Sequence, residues 1–403
     1  MRLPERTTRM TLPATAPAPT ANVDVFAPFT MAGVNFRNRI IRSATDEAAG
    51  DAQGYPTDRL SKTYSRLAKG GVGGIITGYM SVSADGETAI PGMVMFESDA
   101  RIPKLAQVVE EVHATGTPIV AQIAHCGAEG VAGKAFKIDR LSSDTIERVI
   151  DDYVAAAIRA KKTGYDAVEL HLAHGYFLSQ MLSPHTNHRR DQWGGSTEKR
   201  FHIVEEIMRG IRKALPDYPV FAKVNGDESP KDGIHAEEAV RIARLLEQTG
   251  VNAIEVSCAI DFKAMGPGKG NVPADMVLWG YPGMKDLPAF AKKLARPMIP
   301  KFMQSTEAKP KFNVPAAKKI KAAVDVPVFV VGGIHDLADV RSTICEDGLD
   351  AVSMSRPLIV EPGLVNKFKS GKGETSRCLS CNHCFIGLYA GQMRCYYGKV
   401  PQN

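Results

Sequence analysis

The stretch DAVELHLAHGYFLSQMLSPHTNHRRDQWGGSTEKRF, Asp166 to Phe201, decides how the rest of the chain is read. It begins as a short apolar strand over Ala167–Leu170, and His171, His174 and Tyr176 stand at its carboxyl end. A polar loop marked by Pro184 follows. In α/β proteins ligands sit beyond the carboxyl ends of the strands, so two imidazoles and a phenol at that place read as chemistry. His171 and His174 are three positions apart, and a helical turn would put both on one side of the site. Such a pair can hold one oxygen by two hydrogen bonds, or bind a metal with a third ligand. Glu169 shares a strand face with His171 but lies about 7 Å further back. The oxygen clamp is therefore preferred to the metal, with Tyr176 as a phenol that has a proton to give.

Working outward, short apolar runs alternate with amphipathic stretches. The strands are Ile40–Ser43, Val72–Thr77, Pro118–Ile123, Asp166–Leu170, Val220–Val224, Ala253–Ser257, Val326–Val331 and Ala351–Met354. Helices are expected near Thr57–Lys69, Lys104–Thr115, Thr197–Leu215, Ala236–Thr249 and Pro315–Ala323, and after Pro362. One more, before Asp166, is expected to be capped by Asp144 in a capping box with Glu147. Strands that are continuous apolar runs are buried on both faces, as in a parallel sheet. Eight of them alternating with helices predict one α/β (β/α)₈ TIM barrel over residues 25–370. Residues 1–24, rich in Pro, Thr and Ala, read as a flexible N-terminal extension. Val25–Arg39 reads as a hairpin about Ala32-Gly33 that closes the barrel bottom. The detour Cys258–Asn313, with an amphipathic Leu287–Leu294, is too long for an ordinary connection and is expected to wall a substrate site.

Polar residues gather at the other strand ends. Gly332 and Gly333 follow the seventh strand, and Ser355 and Arg356 follow the eighth. That is where barrels hold a phosphate, by glycine N–H groups with an arginine. No strand-bound GxGxxG occurs, so one phosphate, as in FMN, suits the site better than a resident dinucleotide. Gln122 could bond a flavin edge, and Ser43, Ala44 and Thr45 could approach its ring. Lys223 lies in an apolar strand, where an ammonium needs an anionic partner; a reduced flavin or a salt bridge across the barrel would serve.

The 403 residues include seven cysteines, four of them in CLSCNHCFIGLYAGQMRC: Cys378, Cys381, Cys384 and Cys395. Thiolates so spaced in a tail of residues 371–403 signal a metal, as a [4Fe–4S] cluster or as zinc. An odd, scattered remainder is not a secreted disulfide framework. There is no signal-peptide core and no run of about 18 apolar residues, so a cytoplasmic protein with no membrane partner is expected. The net charge of +6 is spread along the chain without a basic block, which argues against nucleic acid.

HLAHGYFLSQMLSPHTNHRRDQWGGS resembles the flavin-dependent ene-reductases of the old yellow enzyme family. The resemblance implies FMN with NADH or NADPH as a visiting reductant, and a small unsaturated carbonyl compound as substrate. It puts the flavin contacts on Gln122, Lys223, Gly332, Gly333 and Arg356, the carbonyl clamp on His171 and His174, and the proton donor on Tyr176. Ala44 replaces a frequent Pro, Asp46 falls where a Thr or Cys stands near flavin O4, and Ser355 replaces the commoner Gly. The tail is similar to the [4Fe–4S] motif of the 2,4-dienoyl-CoA reductase and trimethylamine dehydrogenase branch. An external electron carrier or a second copy of the chain is a compatible partner. The competing readings are an FMN/iron–sulfur dehydrogenase acting on an amine or exchanging electrons with a carrier, and a metal-dependent hydrolase or lyase on the same barrel.

Overall fold

In the computed structural model, which describes residues 23–260, 266, 268–303 and 307–399, the chain enters through an antiparallel hairpin. Its strands are β1 (Phe29–Met31) and β2 (Val34–Phe36). Ala32 (φ 53°) and Gly33 (φ 81°) are both left-handed, as a two-residue hairpin turn requires. The expected flexible extension lies almost wholly outside the described residues.

The strands that follow are β3 (Ile40–Arg42), β4 (Ile75–Ile76), β5 (Met80–Ser81), β6 (Ile119–Ala124), β7 (Ala167–Leu172), β8 (Val220–Asn225), β9 (Ala253–Ser257), β10 (Val328–Val331) and β11 (Ala351–Met354). Parallel pairing runs β3–β4–β6–β7–β8–β9–β10–β11 and returns from β11 to β3, closing eight strands into the expected (β/α)₈ barrel. The short β5 pairs with β6, bridges through Ser81 to Met95, and was not anticipated. Every residue of β7 and β8 is buried, which is why these strands read as unbroken runs.

The hairpin plugs the amino-terminal end of the barrel, as the sequence predicted. Met31 and Phe36 pack with Ala167, Phe221, Phe329 and Ala351 at the strand starts. Phe36 is 1% exposed, and burying one such ring is worth about 2 kcal/mol. Substrate traffic is thereby confined to the carboxyl face.

Two local expectations need correction. The helix Ser143–Thr163 is capped by Ser142, whose Oγ accepts from the Thr145 N–H, and Asp144 sits inside the first turn. Ser142 has the extended backbone of a cap, and Asp144 serves the helix dipole instead. The turn after β7 is not helical either: His174 is left-handed (φ 66°), and the next helix, Phe177–Leu182, starts after Tyr176.

The detour after β9 folds into helices Ala274–Gly280, Ala289–Ala295 and Ile299–Phe302. Met276, Val277 and Ile299 share a small apolar cluster with Ile386 and Tyr396 of the cysteine tail. The tail thus leans on the detour. Among the described residues no helix is long and apolar enough to cross a membrane.

Candidate functional site

A cavity with about 1100 Å³ of atom-free space opens at the carboxyl ends of the barrel strands. It gathers every residue expected to touch a flavin or its substrate: Ser43, Ala44, Thr45, Gln122, His171, His174, Tyr176, Lys223, Gly332, Gly333, Ser355 and Arg356. Of the four tail cysteines, only Cys384 lines it. The amphipathic Leu287–Leu294 does not line it, and among the described residues the detour contributes Gly268 and Phe312 to the expected wall.

The two imidazole rings lie 4.9 Å apart at 87°. The left-handed turn at His174 achieves what a helical turn was expected to do. The His174 N–H donates to Asn225 Oδ1 (3.3 Å), and Nε2 meets Ser257 Oγ at 2.7 Å. His171 Nδ1 is buried and has no hydrogen-bond partner among the described residues. Burial, then the neighbouring His174 and Lys223, drive the His171 pKa well down; burial and Lys223 bring His174 to about 3. Both rings are therefore neutral, each with one N–H to give.

Tyr176 stands 5.2 Å from His171, ring to ring. Its hydroxyl donates to Tyr79 Oη (3.0 Å), and Tyr79 Oη donates to Asp46 Oδ2 (3.2 Å). Burial pushes both phenols well above their usual range and raises Asp46 to about 6. Tyr79 was missed by the sequence reading. Its position just past a strand end, the criterion that found Tyr176, was the available signal.

Beneath the cavity floor lies a layer of buried charge. Parallel register sets His171, Lys223 and Glu255 abreast on β7, β8 and β9. Lys223 Nζ is 3.0 Å from Glu255 Oε2 and 4.0 Å from Glu169 Oε2, and donates to Ser43 Oγ at 3.1 Å. Gln122 Nε2 donates to Glu169 (2.6 Å). Burial and the charge of Glu255 raise the Glu169 pKa well above the carboxylate range. Glu169 is thus neutral, and Glu255 compensates Lys223. The lysine therefore finds its anion inside the barrel, by the salt bridge considered as the alternative to a flavin.

At the phosphate end, Gly332 (φ 132°) and Gly333 (φ 70°) take conformations that exclude side chains. A Cβ on Gly333 would stand 2.4 Å from the Lys309 carbonyl. The N–H groups of both glycines donate to no partner among the described residues. Arg356 Nη1 already donates to the carbonyl of Lys269 and to Asn382 Oδ1, both at 2.8 Å, so this arm ties down the tail. Thr45 Oγ1 donates to Ser355 Oγ (2.8 Å), stitching the first strand to the last. Two glycine N–H groups without a partner among the described residues, beside Arg356 at one end of the cavity, suit the phosphate of FMN.

Cys378, Cys381, Cys384 and Cys395 are free thiols. Burial raises Cys378, and Cys384 to about 12. Among the described residues no three His, Cys, Asp or Glu side chains are gathered closely enough to hold a metal ion. The donor chemistry suits a thiophilic metal; the described arrangement does not yet form its cage.

A model of the NADH:flavin oxidoreductase / NADH oxidase family matches residues 24–269, and one of the dihydrouridine synthases matches residues 301–387, which span the glycine pair and Arg356. The NADH oxidase of Thermoanaerobacter brockii is 29% identical, covering 94% of this chain and 54% of its own length. The 4,4'-dithiodibutanoate disulfide reductase of Rhodococcus erythropolis is also 29% identical, covering 94% and 95%. The chain thus spans about half the length of the first relative and nearly all of the second. The fold is shared with a 2-naphthoyl-CoA reductase structure, at a TM-score of 0.76 and 21% identity over 92% of this chain and 56% of that one.

Proposed function

The chain belongs to the NADH:flavin oxidoreductase / NADH oxidase family, and from that premise we propose that it is an FMN-dependent enzyme that uses NADH or NADPH to reduce a C=C bond conjugated to a carbonyl group. The observation that carries this reading is the pair of neutral imidazoles, 4.9 Å apart, beside a buried phenol in one cavity. Ser43, Ala44, Thr45, Gln122 and Lys223 would hold the flavin ring, and Gly332, Gly333, Ser355 and Arg356 its phosphate. When bound, FMN supplies the two-electron transfer from nicotinamide to the alkene.

The protein's own residues handle oxygen and proton. His171 and His174 donate to the substrate's carbonyl oxygen. Because both are neutral, they do so without a buried cation, and their pull strengthens as negative charge develops on that oxygen. His174 Nε2 lies 2.7 Å from Ser257 Oγ, and the tautomer with its proton on Nδ1 is the one in which Ser257 donates. Tyr176 Oη would deliver a proton to the α-carbon and, once the Tyr79 hydroxyl turns toward it, recover one through Tyr79 from protonated Asp46. A carboxyl held at about 6 can supply that proton near neutrality. Lys223, already compensated by Glu255, orients more than it charges the site.

The test is the variant His171→Ala/His174→Ala. It should reduce an activated enone at least 10²-fold more slowly while FMN stays bound; parental turnover would defeat the clamp. A purified protein without flavin absorbance would defeat the cofactor.

The tail's C-x₂-C-x₂-C-x₁₀-C spacing supports a [4Fe–4S] cluster on Cys378, Cys381, Cys384 and Cys395, exchanging electrons with an external carrier. Iron and acid-labile sulfide at about four each per chain, in anaerobically prepared protein, is the expected count; one zinc and no sulfide would refute it. All seven cysteines are free, in keeping with a reducing cytoplasmic setting.

A further inference from the structure

The detour after β9 turns an apolar ridge to solvent. Phe290, Leu294, Met298 and Phe302 recur every fourth residue and are 71%, 70%, 66% and 85% exposed. Four large apolar side chains exposed within one short segment are a patch, unlike scattered surface apolars. The helix Ala289–Ala295 buries none of its residues. The segment is held from beneath, where Ile299 and the partly buried Ala295 and Met303 join the cluster with Ile386 and Tyr396. Its outer face has nothing on it among the described residues.

The ridge is flanked by positive charge. Between residues 285 and 302 stand Lys285, Lys292, Lys293, Arg296 and Lys301 against Asp286 alone. Arg296 is paired with Asp275 at 2.7 Å. None of the four lysines has an acidic partner among the described residues. This excess is local: the whole chain of 403 residues carries only +6.

We propose that this face docks on an anionic lipid bilayer surface, with the ridge entering the headgroup boundary and the lysines meeting lipid phosphates. Apolar side chains dominated by Phe and Leu on one face, with lysines beside them, is the composition of elements that lie in a membrane interface. Lysine is depleted in protein–protein interfaces, which disfavours a protein partner. A second copy joined by a two-fold axis would set lysine against lysine. This departs from the expectation of no membrane partner, which rested on the lack of a run long enough to span; a surface contact needs no such run.

The test is co-sedimentation of the full chain with vesicles of phosphatidylcholine alone, and of phosphatidylcholine with phosphatidylglycerol, at about 50 mM salt, where screening is weak. Binding to the phosphatidylglycerol vesicles is expected, at least about 10-fold tighter than to neutral ones. Lys293→Glu/Lys301→Glu, both exposed, should weaken it about 30-fold or more, and Phe290→Ser/Phe302→Ser at least about 10-fold. Because these side chains are exposed, thermal unfolding should match the parent and show that the variants fold. Failure to bind phosphatidylglycerol vesicles overturns the proposal. So does binding that the serine variant leaves intact, since that is adsorption by charge alone. A parental dimer that the serine variant dissolves, with no vesicle binding, would assign the ridge to a second copy and overturn it equally.

Discussion

Replacing Lys223 with Met tests the buried charge layer directly. The ammonium and both carboxylates are at most 1% exposed, and Lys223 Nζ stands 3.0 Å from Glu255. Removing the cation leaves Glu255 with only the hydroxyls of Ser43 and Ser353 and no opposite charge. Breaking a buried pair from one side costs about 3–5 kcal/mol, whereas neutralising both partners is close to even. At about 2 °C per kcal/mol for a chain of this size, Lys223→Met should melt roughly 6–10 °C below the parent. Lys223→Met/Glu255→Gln should recover most of that. Thermal unfolding of the apoprotein is the assay, so cofactor binding does not enter. A single variant within about 1 kcal/mol of the parent, or a double variant less stable than the single, would refute the pairing.

Asp46, raised by burial to about 6, binds its proton more tightly folded than unfolded. Its stabilising contribution is therefore full below about pH 4 and lost as pH rises through about 6. Asp46→Asn should gain stability on the parent between pH 5 and pH 8, and an offset that does not change over that range argues against the shift. Tyr176→Phe should slow reduction of a weakly acidic enone by about 10²–10⁴ and spare a nitroalkene, whose anion protonates in water; equal slowing of both means a structural role. Gly333→Ala places a Cβ 2.4 Å from a carbonyl at a left-handed residue. The apoprotein should then bind FMN at least about 10-fold more weakly by fluorescence titration, and unchanged affinity would remove this glycine from the phosphate site.

The barrel was legible because parallel strands buried on both faces leave unbroken apolar runs, and because catalytic side chains must stand at one end of them. That rule located His171, Gln122, Lys223 and the glycine pair. It could not locate what depends on register between distant strands. Glu255 sits mid-strand in AIEVS, and only the pairing of β8 with β9 sets it against Lys223. An acidic residue inside a buried run was the trace it left. Tyr79 follows a strand of only two residues, so the fold rather than the local pattern aims it at Tyr176. The turn at His174 was considered only as a helical one, and nothing in the local sequence marks its left-handed backbone. Leu287–Leu294 looked amphipathic in sequence, but amphipathicity does not say which face meets the protein.

The seam of the barrel joins residues 40–42 to 352–354, the first strand to the last. The contacts Arg42–Ser355 and Thr45–Ser355 cross it, and the flavin cavity straddles it. On the ribosome, β3 would emerge about 15–60 s before the strand that completes it, at roughly 5–20 residues per second. For that time the nascent chain has an open sheet edge and an unfinished site. Cofactor capture must therefore await release of the last strand, and agents that shield open edges during synthesis should matter more to its yield than FMN supply.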